Sequence, residues 1–203
     1  MTRCKTCLQP DTKPDLAFVD GECSACINYA NRPEIDWNAR KRELVNILSD
    51  SPRNSSGYDC IVPSSGGKDS HAQVLTLLEL GVRPLVVTAT TDFLTPIGRA
   101  NIDNLARYAT TIEVTPNRSV RARLNRLGLE LVGDICWPEH ASIFTVPFRV
   151  AKDMDIPLIF YGENPQQEYG GPLGAEQARH MTARWVSEYG GFLGLRPSDF
   201  IGK

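Results

Sequence analysis

Two groups of residues in this 203-residue chain have the types and spacing to do chemistry. The first is Ser65-Gly66-Gly67-Lys68-Asp69-Ser70. It follows a strand pattern, Tyr58 to Pro63, and precedes a helical one in which Ala72, Val74, Leu75, Leu77, Leu78 and Leu80 recur until Gly81. A strand, a glycine turn and a helix start make an anion site, because backbone N–H groups and the positive end of the helix dipole converge on the turn. Two adjacent glycines let the backbone approach a phosphate with no Cβ between. Ser65 and Ser70 add hydroxyls, Lys68 a point charge, and Asp69 a carboxylate able to hold a metal or fix the loop. The string departs from Gly-x4-Gly-Lys-Ser/Thr, since Asp69 follows Lys68, and the chain contains no Gly-x-Gly-x-x-Gly.

The second group is Cys4-x2-Cys7 and Cys23-x2-Cys26, separated by 15 residues. Each Cys-x-x-Cys turn can present two sulfurs to one ion, and two turns complete a tetrahedron, so the spacing points to structural zinc. A redox pair or an iron–sulfur cluster is the alternative, and two paired motifs favour zinc over either. Between the pairs, Pro10, Pro14 and Asp20-Gly21 mark turns and Leu16 to Val19 one short strand. So little apolar mass cannot fold alone, and a metal would supply what is missing. Residues 1–32 therefore read as a zinc unit and 33–203 as the main domain.

The elements around the loop must position it. Asp36 is set to cap a helix with Trp37, Leu44 and Leu48 on one face and Arg40, Lys41 and Arg42 in solvent. A second strand runs from Leu85 to Thr90, a helix from Gly98 to Tyr108, and a third strand from Thr111 to Thr115. Asn117 caps a helix with Val120, Leu124 and Leu127 inward. Its Arg118, Arg121, Arg123 and Arg126 either bind phosphates or, as is ordinary, keep the helix soluble. Pro147 is expected to kink or end the helix that follows Cys136-Trp137-Pro138-Glu139-His140. A fourth strand, Ile156 to Tyr161, runs into Gly162-Glu163-Asn164-Pro165, and a last helix spans about 175 to 189. Strands alternating with helices predict an α/β fold with a doubly wound parallel sheet. Ligands bind such sheets at the carboxyl ends of the strands, where 65–70, 88–92 and 162–171 fall.

Composition bounds the partners. Hydrophobic content of 41% and charged content of 23% are those of an ordinary soluble protein. No apolar run reaches membrane-span length and the N-terminus has no signal-peptide core, so the cytoplasm is the expected compartment and no membrane partner is implied. A net charge of −2 gives no general push toward nucleic acid. In a reducing compartment, six cysteines argue for metal or catalysis rather than disulfides.

With these residues assembled, the six-residue string resembles the pyrophosphate loop, Ser-Gly-Gly-x-Asp-Ser, of the ATP pyrophosphatase superfamily. Adding the four cysteines and Tyr161-Gly162-Glu163-Asn164-Pro165…Glu168-Tyr169-Gly170-Gly171, the chain looks like an N-acetyl sugar amidotransferase of surface-polysaccharide (lipopolysaccharide, O-antigen) biosynthesis. Supporting phrases are Cys60-Ile61-Val62-Pro63, Ile97-Gly98-Arg99, Val114-Thr115-Pro116-Asn117, Asn125-Arg126-Leu127-Gly128, Trp137-Pro138 with His140, and Gly194-Leu195-Arg196-Pro197. Family members continue well past the position of Lys203, so the resemblance implies a short member or a missing C-terminal substrate region.

The resemblance implies an adenine nucleotide alpha-hydrolase-like fold and an ATP- and Mg²⁺-dependent, AMP-forming reaction. The acetamido oxygen of a nucleotide-activated N-acetyl sugar would take AMP, releasing pyrophosphate, and ammonia would displace AMP to leave an acetamidino group. Ser65, Gly66, Gly67, Asp69 and Ser70, with Lys68, would hold the pyrophosphate half. The backbone at Val87, Thr88 and Ala89 would receive adenine, and Gly162 would admit the α-phosphate. Glu163 or Asn164 would hold Mg²⁺ or position the amide. Arg99, Trp137, His140 and Tyr169 are weaker candidates for substrate contact, since residues of these types are more often structural. Nothing in the chain reads as a glutaminase, so ammonia would come from solution or a partner, and the resemblance implies a separate glutaminase subunit with a cyclase-like subunit. Two other readings stand beside this one. A tRNA thiolase would use Cys136 to carry sulfur, and a nucleotide-binding scaffold would turn over nothing.

Overall fold

The computed structural model describes residues 1–13, 16–52, 54–91, 94–163, 182–183, 186–187 and 191–202. Two compact units emerge, one of Met1–Arg42 with Glu163–Met181 and one of Glu43–Gly162 with Thr182–Lys203. Most of the expected helix at 175–189, together with Asn164 and Tyr169, lies outside the described residues.

In the first unit a small hairpin, β1 (Phe18–Val19) and β2 (Glu22–Cys23), turns at Asp20-Gly21 and leads into helix α1 (Ser24–Ala30). The expected strand from Leu16 is only two residues long, and α1 was not anticipated. Helix α2 (Trp37–Asp50) starts as expected, with the Ala39 N–H donating to Asp36 Oδ1 at 2.9 Å. Its expected inner face does not hold at the start, because Trp37 is 73% exposed.

The second unit is built on three parallel strands in the order β3 (Cys60–Pro63), β4 (Pro84–Ala89), β5 (Thr110–Val114). Alternation splits their side chains between two layers. Cys60, Val62 and Val86 pack with Val74 and Leu77 of α3 (Lys68–Glu79) and Leu105 of α4 (Pro96–Leu105). Ile61, Leu85 and Val87 pack on the opposite side with Ala151 of α6 (Trp137–Asp153). Helices thus cover both faces of the sheet.

The expected fourth strand reduces to a single parallel bridge, Ile159 opposite Ile61. Two backbone bonds hold it, Ile61 N–H to Leu158 O at 2.9 Å and Phe160 N–H to Ile61 O at 2.7 Å. Pro157 lacks an N–H, which limits how far a ladder could extend. The bridge lies on the free edge of β3, so the chain runs from β3 outward through β4 and β5, then returns to the other side of β3. That reversal is a topological switch point, and it falls beside the end of β3.

Two helices correct the sequence-based expectation. In α5 (Arg118–Val132) Asn117 does cap the start, accepting from the Val120 N–H at 3.1 Å, but Val120 is exposed and Arg121 is buried in its place. Helix α6 neither ends nor breaks at Pro147. Proline leaves the carbonyl four residues back, Ile143, without its usual N–H donor, and the Tyr161 hydroxyl donates to that oxygen at 3.2 Å. No helix among the described residues is long and apolar enough to cross a membrane.

Candidate functional site

The loop after β3 is closed by a chain of hydrogen bonds that begins and ends on its own glycines. Gly66 N–H donates to Ser64 Oγ at 2.9 Å, Ser64 to Ser70 Oγ at 2.8 Å, and Ser70 to Gly67 O at 3.0 Å. Ser64 and Ser70 are buried, whereas Ser65 is exposed. Of the two hydroxyls expected to face a ligand, Ser70's is therefore turned inward. Ser64 was missed; its position one residue before the motif was the only signal.

Gly66 cannot be another residue without cost. Its φ is +82°, and a Cβ there would lie 2.9 Å from Ile102 Cγ1 and 3.2 Å from Ile102 N in α4. Gly67 has ordinary φ and open space around it apart from Ser65 Oγ at 3.5 Å. Helix α3 starts at Lys68, one residue past the turn, so its first N–H groups face the loop's mouth. Lys68 Nζ holds both Asp69 oxygens, at 2.7 and 2.9 Å. An exposed pair of this kind is worth at most about 1 kcal/mol, so the Asp69 carboxylate can exchange it for a metal at small cost.

At the strand ends nearby, Val87 is buried and its carbonyl accepts from the Ser64 N–H at 3.0 Å. Ala89 is half-buried, and the Thr88 hydroxyl is buried with no hydrogen-bond partner among the described residues. Gly162 lies against α3: a Cβ there would be 3.3 Å from both polar atoms of the Gln73 amide. Glu163 follows and is exposed.

The further substrate candidates are occupied elsewhere. The Arg99 guanidinium is shared by Glu113, at 2.7 and 2.8 Å, and Asp103, at 2.6 and 2.9 Å. Trp137 is buried beneath Phe192 and Phe200, with its indole N–H donating to Phe192 O at 2.8 Å. His140 Nδ1 sits 3.1 Å from Asp134 Oδ2. Arg121, 2% exposed, pairs with Glu139 at 3.1 Å, so it neither solvates its helix nor offers a phosphate ligand. Burial pushes the Cys60 thiol up to about 12, which makes it inert, and Cys136 is exposed.

In the first unit the four cysteine sulfurs lie within 4.8 Å of one another. Cys4 and Cys26 sulfurs are 3.8 Å apart and those of Cys7 and Cys23 3.6 Å. Four sulfurs about 2.3 Å from a tetrahedral zinc stand about 3.8 Å apart, so the set fits that ion. Backbone N–H groups of Thr6 and Cys23 point at Cys4 Sγ at 3.4 and 3.3 Å. Such N–H···S bonds stabilise the thiolate a metal needs.

No protein-family model and no curated protein sequence matches this chain. Among solved structures, NMN synthetase from Francisella tularensis is similar at 16% identity and a TM-score of 0.49, over 84% of this chain and 75% of that one. Likeness at that level says nothing of what this chain acts on.

Proposed function

We propose that the second unit binds ATP with its phosphates on the Ser64–Ser70 loop and transfers AMP to an oxygen of a second substrate. The loop carries this reading: Gly66 is required by both its φ and its neighbour, the hydroxyls of Ser64 and Ser70 brace the turn from within, and α3 starts one residue past it. The loop lies at the switch point of a parallel sheet, the place where such sheets take ligands. The Thr88 hydroxyl, buried with no partner among the described residues, supports a ligand or water at the strand ends, since a buried hydroxyl left unpaired is costly.

The second substrate is the acetamido group of a nucleotide-activated sugar, and the product an acetamidino sugar formed with ammonia. The four cysteines and the motif phrases of the sequence support this choice over other acceptors. In the reaction the acetamido oxygen attacks the α-phosphorus and pyrophosphate leaves; ammonia then adds at the imidate carbon and AMP departs. Mg²⁺, when bound, would shield the phosphate oxygens from the incoming nucleophile. We assign the exposed Asp69 carboxylate to hold it and Lys68 to neutralise the pyrophosphate, with Gly162, beside Gln73, admitting the α-phosphate. Glu163 or Asn164 is assigned the same metal or the amide.

The test is AMP release from ATP, Mg²⁺ and ammonium chloride over a panel of nucleotide-linked acetamido sugars, with tRNA and a sulfur donor run in parallel. AMP only with one sugar and ammonia is expected. AMP only with tRNA, abolished by Cys136→Ser, would transfer the assignment to thiolation. ATP binding without AMP under any condition would leave a scaffold.

A further inference from the structure

We propose that His71 is a positioning residue of the anion loop: its ring fixes the Gly67 carbonyl into helix α3, so that the N–H of the same peptide, on Lys68, faces the phosphates. This rests on the loop being the nucleotide-phosphate site. A peptide is planar and trans, so its C=O and N–H point in opposite directions, and whatever fixes one aims the other. A helix start needs only one donor to that carbonyl, the N–H four residues on. Gly67 O has three around it: His71 N–H at 3.3 Å, the Ser70 hydroxyl at 3.0 Å and His71 Nδ1 at 2.9 Å.

The hydrogen on the ring is assigned by its partner. A carbonyl can only accept, so Nδ1 carries a proton, and in the neutral ring Nε2 is the acceptor. Nε2 lies 3.3 Å from Asn104 Nδ2 on α4. That helix also supplies Ile102, whose backbone and side chain close on Gly66. Both glycines of the turn are thereby keyed to α4, Gly66 by direct packing and Gly67 through His71 and Asn104. Donors gathered on one end of a peptide also strengthen the N–H at its other end.

The experiment is calorimetric titration of the full-length, zinc-loaded protein with Mg-ATP and, separately, with inorganic pyrophosphate. It is paired with the ¹⁵N-lysine amide spectrum. His71→Ala should weaken both ligands about tenfold, the loss of one well-placed hydrogen bond. His71→Asn places its amide nitrogen where Nδ1 stands and should stay within about threefold of wild type. His71→Gln reaches the Nε2 position instead, and should resemble Ala. Pyrophosphate should shift the Lys68 amide in the wild type and in His71→Asn, and much less in His71→Ala.

Equal affinity of His71→Ala and wild type, with the same Lys68 shift, overturns the proposal while leaving the loop's ligand intact. So does Asn behaving like Gln, since the ring would then act only as filling. Wild type binding neither ligand is a different failure: the phosphate reading of the loop falls, and this inference with it. If His71→Ala does not fold, the contrast of Asn with Gln carries the same decision.

Discussion

Four sulfurs organise the first 30 residues, whereas the parallel sheet is organised by side chains with no chemistry of their own. In the cysteine unit, Cys4, Leu16 and Cys23 form the buried apolar cluster among the described residues, with Phe18, Ala25 and Cys26 beside them. In the sheet, Ile61, Val62, Leu85, Val86 and Val87 are all sealed between helices. At about 25 cal/mol per Å² of apolar surface buried, the second arrangement can support itself and the first cannot. The difference teaches where each unit would fail: one on loss of a metal held by the four sulfurs, the other on loss of fit.

Metal removal should therefore separate them with the largest effect. Structural zinc contributes about 10–16 kcal/mol of binding free energy in small zinc-dependent peptides. Chelation, or Cys23→Ser, should bring the amides of residues 1–30 to rapid hydrogen exchange. Those of β3, β4 and β5 should stay protected. Loss of protection in both regions would mean that the sheet leans on the metal unit, and the comparison would break.

Within the second unit, fit includes one buried charge. Arg121 is expected by helical periodicity to be a solvated position, yet it is enclosed with Glu139 and reaches Ser142 Oγ at 3.4 Å. Glu139 in turn accepts from Asn125 Nδ2 at 2.9 Å. Arg121→Ala leaves that carboxylate uncompensated and should cost about 3–5 kcal/mol in denaturant unfolding. The same change at Arg118 or Arg123, both exposed, should cost almost nothing. A small effect at Arg121 would show that apolar fit alone carries this corner.

A sharper test of fit sits at the loop itself, where two adjacent glycines differ. Gly66→Ala forces a left-handed residue and a clash with Ile102, together costing about 2–4 kcal/mol. Gly67→Ala meets nothing closer than 3.5 Å and should leave the melting temperature nearly unchanged. If it nevertheless abolishes ATP binding, Gly67 serves the ligand and Gly66 the fold. Equal destabilisation of both variants would refute that division.

How much of this was legible follows from the same contrast. The loop, the four cysteines, the Asp36 and Asn117 caps and the strands β3 to β5 are written in local signals: glycine turns, ligand spacing, caps and continuous apolar runs. Helix α4 is expected from Gly98 and begins at Pro96, because Thr95-Pro96 is itself a start signal, with Gly98 N–H donating to Thr95 Oγ1 at 3.0 Å. What local signals cannot carry is a partner distant in sequence. Arg121 reads as polar until Glu139 is beside it, and Arg99 as a ligand until Glu113 and Asp103 occupy it. Ser64 and His71 look unremarkable until the turn brings them onto Gly66 and Gly67. The helix end expected as one outcome at Pro147 is the clearest case, since the compensation that lets the helix continue comes from Tyr161, fourteen residues on.

That compensation yields the smallest and most specific prediction. Tyr161 is held between α6 and the end of the β3-edge segment, its ring 5.9 Å from Phe144 and 6.2 Å from Phe148. Burial pushes its phenol well above the ordinary range, so it remains a donor at any working pH. Tyr161→Phe keeps the ring contacts and removes only the bond to Ile143 O, which should cost about 1 kcal/mol. Pro147→Ala restores an N–H four residues beyond Ile143 and supplies that carbonyl from within the helix. In the Pro147→Ala background, Tyr161→Phe should then cost only a few tenths of a kcal/mol, because the oxygen is no longer orphaned. A double-mutant cycle by urea unfolding measures this coupling directly. Additive costs would mean that the Ile143 carbonyl is served by solvent, and that α6 tolerates its proline through packing alone.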